Sequence, residues 1–321
     1  MGNAIQRGLL GLLLVCMPMV HAAEAPSIAL NTVPVILFKG DATTAYRDPA
    51  ALYHDKVFRL FFTLVRIEEG LPYSYLAWSK SSDLRTWTTP VILTPRDRAR
   101  NYGSPGNIVR VKGEWILCLQ TYPRPHGELY GNADARLWIM RSADLETWSE
   151  PELLRVKGPD VPREKMGRMI DPYLLEDPKA PGTWWCFYKQ NGISMSTTTD
   201  FVTWRYVGHA DAGENACVIA DGDGYLLFHS PPNGIGMKRS NDLLHWRDCG
   251  IAYLGQNAWP WAQGRLTGGF VLDLRKEPSV GTALLFFHGS RDPESAERGF
   301  DNYASIGLAW SNDFAQWHWN R

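Results

Sequence analysis

From Val33 onward the chain reads as short apolar runs punctuated by Gly, Pro, Asp and Asn, with no sustained helical periodicity. Runs such as Phe58-Arg59-Leu60-Phe61-Phe62-Thr63-Leu64, Thr183-Trp184-Trp185-Cys186-Phe187-Tyr188 and Ser305-Ile306-Gly307-Leu308-Ala309-Trp310 have the length and the aromatic and branched content of strands. A polar phrase, Ser/Thr-x-Asp-Leu/Phe-x-x-Trp, follows such runs at residues 81–87, 142–148, 198–204, 240–246 and 311–317. Its Asp accepts hydrogen bonds from backbone N–H groups further on and closes a tight turn, while the large apolar residues pack between neighbouring units. Upstream of each phrase lie two further strand-like segments, for example Ala50–Tyr53 and Phe58–Leu64 in the first unit, or Tyr173–Leu175 and Thr183–Tyr188 in the third. After four of the five phrases comes one more short strand, such as Pro90–Leu93. Each repeat therefore holds about four short antiparallel strands, the blade of a β-propeller. Five repeats predict an all-β, five-bladed propeller, and they disfavour the competing β-sandwich. The segment Val33–Phe38 has no blade of its own and is expected to close the ring by pairing with the last blade, since an open ring leaves exposed sheet edges.

The first residues follow a different pattern. Arg7 precedes a nearly unbroken apolar run from Leu9 to Val20, and Val20-His21-Ala22 offers the small-residue pattern of signal peptidase sites. The run is short for a membrane span, and the bulky Val15 before Cys16 argues against lipid attachment. Residues 1–23 are thus expected to be a signal peptide, and residues 24–321 a single propeller domain secreted or delivered to the periplasm. Formal net charge is -1, from 33 basic and 34 acidic residues, which favours neither nucleic acid nor an anionic membrane as partner. Nothing in the chain predicts its oligomeric state. Cys118, Cys186, Cys217 and Cys249 remain after cleavage; Cys118 and Cys186 sit inside apolar runs. They form no CxxC or Cys/His metal set and are read as free thiols, with one bridge compatible with an oxidising compartment.

In a propeller the innermost strands line a central channel, so chemistry is sought at the start of each blade's first strand. Blade 1 begins Arg47-Asp48-Pro49, blade 3 Ile170-Asp171-Pro172 and blade 4 Gly213-Glu214-Asn215. Three blades thereby offer a carboxylate, whereas blade 2 offers Gly103-Ser104-Pro105-Gly106-Asn107 and blade 5 Gln263-Gly264-Arg265. Asp-Pro is also ordinary turn chemistry, as at Asp177-Pro178. Carboxylates converging on one axis repel each other and raise at least one pKa, which folding alone does not reward. Inverting glycoside hydrolysis does reward it, because it needs an ionised base for water and a protonated acid for the leaving oxygen.

With Arg47-Asp48-Pro49, Ile170-Asp171-Pro172 and Glu214 on the next blade, the chain resembles glycoside hydrolase family 43 over nearly its whole mature length. The Asp-Leu-x-x-Trp turns are shared with the related family 32, 68 and 130 propellers. The resemblance implies an O-glycosyl hydrolase acting on carbohydrate, with Asp48 as base, Asp171 as pKa modulator and Glu214 as acid. Glu214 is followed by Asn215-Ala216 rather than the family's usual Gly-Pro or Ala-Pro, and Asp211 stands nearby as an alternative acid. No cofactor is required. His288 is a candidate channel residue near a structural calcium, or a satisfied core histidine. Trp259, Trp261 and Tyr102 have loop settings suited to stacking on sugar rings, and Asn107 is expected to contact substrate. Arg47 either pairs with a carboxylate in the pocket or holds Asp48. The alternatives are a glycoside phosphorylase on the same fold, with Arg47, Arg168 and Arg291 near phosphate, or a carbohydrate-binding propeller without turnover.

Overall fold

The computed structural model describes residues 1–2, 28–290 and 301–320. The signal-peptide reading falls largely on residues 3–27, outside the described residues, and so does Arg291. Within the described residues no helix is long and apolar enough to cross a membrane.

Strand β1 (Ile36–Phe38) is followed by five antiparallel sheets in chain order. Blade 1 is β2 (Thr44–His54), β3 (Val57–Glu68), β4 (Leu71–Ser81) and β5 (Val91–Ile92). In blade 2 the inner strand is split at Pro105 into β6 (Tyr102–Gly103) and β7 (Ile108–Val111), both paired to β8 (Glu114–Thr121), with β9 (Leu137–Ser142) and β10 (Glu152–Leu153) outside. Blade 3 is β11 (Ile170–Glu176), β12 (Trp184–Lys189), β13 (Ile193–Thr198) and β14 (Arg205–Ala210). Blade 4 follows as β15 (Glu214–Asp221), β16 (Gly224–Ser230), β17 (Ile235–Ser240) and β18 (Arg247–Ala252). Blade 5 has β19 (Arg265–Asp273), β20 (Ala283–Ser290) and β21 (Ser305–Ser311), and its fourth, outermost strand is β1. The ring closes as the sequence predicts, by the N-terminal strand pairing antiparallel with the last blade.

The repeated phrase is a turn with one geometry throughout. In blade 1 the Asp83 carboxylate accepts from the backbone N–H groups of Arg85 and Thr86, while the Ser81 hydroxyl accepts from those of Asp83 and Leu84 and donates to Asp83. The other four turns repeat the set on Asp144, Asp200, Asp242 and Asp313. Leu84, Leu145, Phe201, Leu243 and Phe314 all take the left-handed conformation, with φ from 61° to 66°. Such backbone is costly for bulky residues. The bonds around it and the burial of four of the five side chains offset that cost. The Trp then reaches the preceding blade: Trp148 packs on Phe61, Trp246 on Phe187 and Trp317 on Phe228. Trp87 packs on Phe38, which belongs to blade 5 through β1.

All four cysteines among the described residues are free thiols. Burial pushes Cys118 and Cys217 up to about 12, so they are inert packing groups.

Candidate functional site

Each inner strand is interrupted at one point, where the antiparallel register slips or, in blade 2, the strand breaks. The residues at the interruption are Asp48, Ser104, Asp171, Asn215 and Gly268, all with positive φ between 41° and 63°. Pro follows in blades 1, 2 and 3, where an N–H would have no ladder partner. These five bulges ring a narrow cavity on the propeller axis.

Their alignment corrects the sequence reading. Asn215, not Glu214, is the blade 4 counterpart of Asp48 and Asp171, and Glu214 is equivalent to Arg47 and Ile170. In blade 5 the counterpart is Gly268, three residues beyond Arg265. The bulge itself explains the offset, since its position depends on where the ladder slips and has no fixed residue type.

The bulges are tied to one another by side chains. The N–H of Asp48 donates to Nδ1 of His288 in blade 5 (3.1 Å), and that of Ser104 to the Thr63 hydroxyl in blade 1 (2.7 Å). The N–H of Asp171 donates to Gln120 in blade 2, and that of Gly268 to the Ser230 hydroxyl in blade 4 (2.8 Å). Each acceptor stands on the second strand of the preceding blade. Blade 4 departs from this rule: the Asn215 N–H donates to the Asp171 carboxyl at 3.4 Å.

Above the bulges opens a cavity of about 190 Å³ whose wall includes Asp48, Asp171 and Glu214. Asp48 is buried; its carboxylate accepts from the Thr63 hydroxyl at 3.0 Å and lies 3.7 Å from Arg47. Burial works against its ionisation, but Arg47, His288 and the neighbouring hydroxyls outweigh that and hold its pKa below the ordinary value. Asp171 is equally buried. Burial first, then the charges of Glu214 and Asp48, push it up to about 8. Glu214, about one third exposed, makes an ion pair with Arg265 at 2.8 Å. At neutral pH the cavity therefore holds an ionised Asp48 beside a protonated Asp171. Such a split is the usual preparation for acid–base chemistry.

Arg47 lines the same cavity and its pKa is raised: burial lowers it, and the charges of Asp48, Asp301, Tyr122 and Glu214 overcome that. His288 is also in the wall and buried, with its Nδ1 taken by the Asp48 N–H. Burial lowers its pKa to about 3, so it is a neutral prop for Asp48. No group of three or more His, Cys, Asp or Glu that could hold a metal ion occurs among the described residues.

Four expected contacts lie elsewhere. Tyr102 is buried on β6, edge-on to Trp138 and bonded through its hydroxyl to Arg100. Asn107 is buried and bridges blades 2 and 3, donating to the Leu174 carbonyl and accepting its N–H. Trp259 and Trp261 stack on each other and on Phe287 at 5.2–5.9 Å. None of the four lines the cavity. In a chain with 14 Trp, packing claims most large aromatic faces. The wall instead includes Thr63, Gln120, Tyr122 and Tyr130, and Arg124, which is locked to buried Asp301 by two bonds of 2.7 and 2.9 Å. Arg124 and Asp301 are 177 positions apart, so no local sequence signal joins them.

The five-bladed propeller is similar in fold to solved glycoside hydrolase structures, family 43 and family 62 members among them. An exo-1,5-alpha-L-arabinanase from a bovine ruminal metagenomic library aligns with a TM-score of 0.60 at 16% identity, covering 88% of this chain and 99% of the other. A family 43 beta-1,3-galactosidase gives 0.62 at 11% identity, covering 88% and 100%. The catalytic domain of a Coprinopsis cinerea family 62 alpha-L-arabinofuranosidase gives 0.61 at 14%, covering 88% of this chain. No protein-family model matches the sequence, and no curated protein does. At these identities the likeness is one of fold.

Proposed function

We propose that the protein is an exported glycoside hydrolase that cleaves glycosidic bonds with inversion. The observation that carries this is the gathering of Asp48, Asp171 and Glu214 in the wall of one axial cavity, where Arg47 favours the charged form of Asp48 and burial favours the neutral form of Asp171. Asp48, ionised and braced by Thr63 and His288, takes a proton from the attacking water. Glu214 gives a proton to the leaving oxygen, and Asp171, neutral beside it, keeps charge on the pair low. Because the Glu214 carboxylate is paired with Arg265 at 2.8 Å, that pair must open and Glu214 must take up a proton from solvent before it can pass one to the leaving oxygen. Export rests on the Arg7 and Leu9–Val20 pattern at the N-terminus. The structural relatives include enzymes named for arabinan, galactoside and arabinofuranoside substrates, which supports a carbohydrate ligand.

The test is a screen of aryl α-L-arabinofuranoside, β-D-xyloside, β-D-galactoside and β-D-glucuronide, with Asp48→Asn as control. We expect turnover of at least one, lowered about 10²–10⁴-fold in the variant, and NMR of the first product formed showing the inverted anomer. Turnover of none, or turnover indifferent to Asp48→Asn, would leave a carbohydrate-binding propeller in its place.

A further inference from the structure

Four arginines line the cavity: Arg47, Arg124, Arg168 and Arg265. Three of them stand against carboxylates, Arg47 by Asp48, Arg124 by Asp301 and Arg265 by Glu214. Arg168 does not. Its Nε donates to the Gly131 carbonyl at 3.3 Å, and its guanidinium lies 5.7 Å from the centre of the Tyr122 ring. No ion pair joins it to Asp171, three residues further along the chain, whose burial favours the neutral carboxyl. Among the described residues, the cavity thus carries one guanidinium that no carboxylate pairs.

A half-buried guanidinium facing a carbohydrate site has a specific use. Sugar hydroxyls do not need a full positive charge, and holding one partly out of water without an anion is unfavourable. A planar fork of N–H donors fits a carboxylate or another oxyanion by paired, charge-assisted bonds. We propose that Arg168 forms an oxyanion subsite of this cavity, so that the favoured ligand is a sugar bearing a negative group. A uronic acid carboxylate, a sulfate ester and free phosphate share the required chemistry. The inference rests on the reading of the cavity as a carbohydrate site, but its test needs no turnover.

The wild-type protein is titrated by calorimetry with glucuronic acid against glucose, galacturonic acid and galactose 6-sulfate against galactose, and inorganic phosphate alone. At least one acid is expected to bind about tenfold or more tighter than its neutral counterpart. Arg168→Ala brings the two within about twofold, and Arg168→Lys, which keeps the charge but not the fork, falls between. If Arg168→Ala melts well below wild type, Arg168→Gln is read in its place. Selective binding of a uronic acid or of the sulfate ester identifies the source of the anion. Binding of phosphate alone, lost with Arg168, sustains the subsite and turns the reaction toward phosphorolysis. Equal binding of acid and neutral sugars, a preference that survives loss of Arg168, or no binding of any acid overturns the inference. A failed hydrolase screen together with Arg168-dependent acid binding removes the enzyme reading alone.

Discussion

Asp48 and Asp171 occupy equivalent bulges, are equally buried, and titrate in opposite directions. Their neighbours make the difference: Asp48 has Arg47 and a hydroxyl donor, whereas Asp171 has the Asn215 N–H at a long 3.4 Å and two carboxylates close by. The consequence for stability has a definite sign. Asp171 is raised from 3.8 to about 8, so the folded chain holds a proton that the unfolded chain has released. The stability this contributes is complete below pH 3.8 and is lost as pH rises toward 8. Asp48 is lowered, so its contribution is present above 3.8 and is lost only as pH falls through its folded value. The two windows do not overlap. Asp171→Asn, neutral at every pH, should therefore gain in melting temperature over wild type progressively from pH 4 to pH 8. A difference that stays flat across that range would mean that Asp171 is not protonated in the fold.

The bulges and the bonds between them are the elements on which the site depends. Gly268 is the bulge residue of blade 5, with φ of +63°, and a Cβ there would lie 2.6 Å from Nδ1 of His288. That nitrogen holds the Asp48 N–H, so Gly268→Ala strains its own backbone and pushes the prop of the proposed base. We expect a loss of about 1–3 kcal/mol in stability, and a fall in kcat/KM at temperatures where the variant is fully folded. A variant as stable and as active as wild type would dismiss the role given to His288. The elements differ in how far the sequence announces them. The Asp-Leu-x-x-Trp turns were legible because their bonds run between residues two and three apart, and five copies gave the blade count. The closing strand followed from the need to cover an edge. Asp48 and Asp171 were legible from the Asp-Pro pairs. The one-residue offset of Glu214 was not, because a bulge is defined by pairing with the next strand. Tyr102, Trp259 and Trp261 looked like loop aromatics, yet tertiary packing buries or stacks them away from the cavity. Thr63, Gln120 and Arg168 belong to runs that look like ordinary strand and loop. Only the meeting of blades makes them part of a site.

At the scale of the whole ring, closure rests on non-covalent contacts, since the described cysteines are unbridged. The N-terminal strand pairs with β21, the Val35 carbonyl accepts the Leu308 N–H, and the Asn320 amide donates to the Leu30 and Val33 carbonyls. Phe38 joins this seam to blade 1, with its ring 5.0–5.6 Å from those of Tyr46, Phe62 and Trp87. The Asp48–His288 bond crosses the same pair of blades, from 5 to 1, nearer the axis. Phe38→Ala opens a cavity in the contact that makes the ring continuous, and it should cost about 3–5 kcal/mol. Val91→Ala, at a half-exposed position on β5, should change stability by less than about 0.5 kcal/mol. A closed ring unfolds as a unit, so loss at this seam is expected to lower the single melting transition of all five blades. Melting curves for the two variants decide the matter: a drop for Phe38→Ala no larger than for Val91→Ala would show that the ring does not depend on its N-terminal strand.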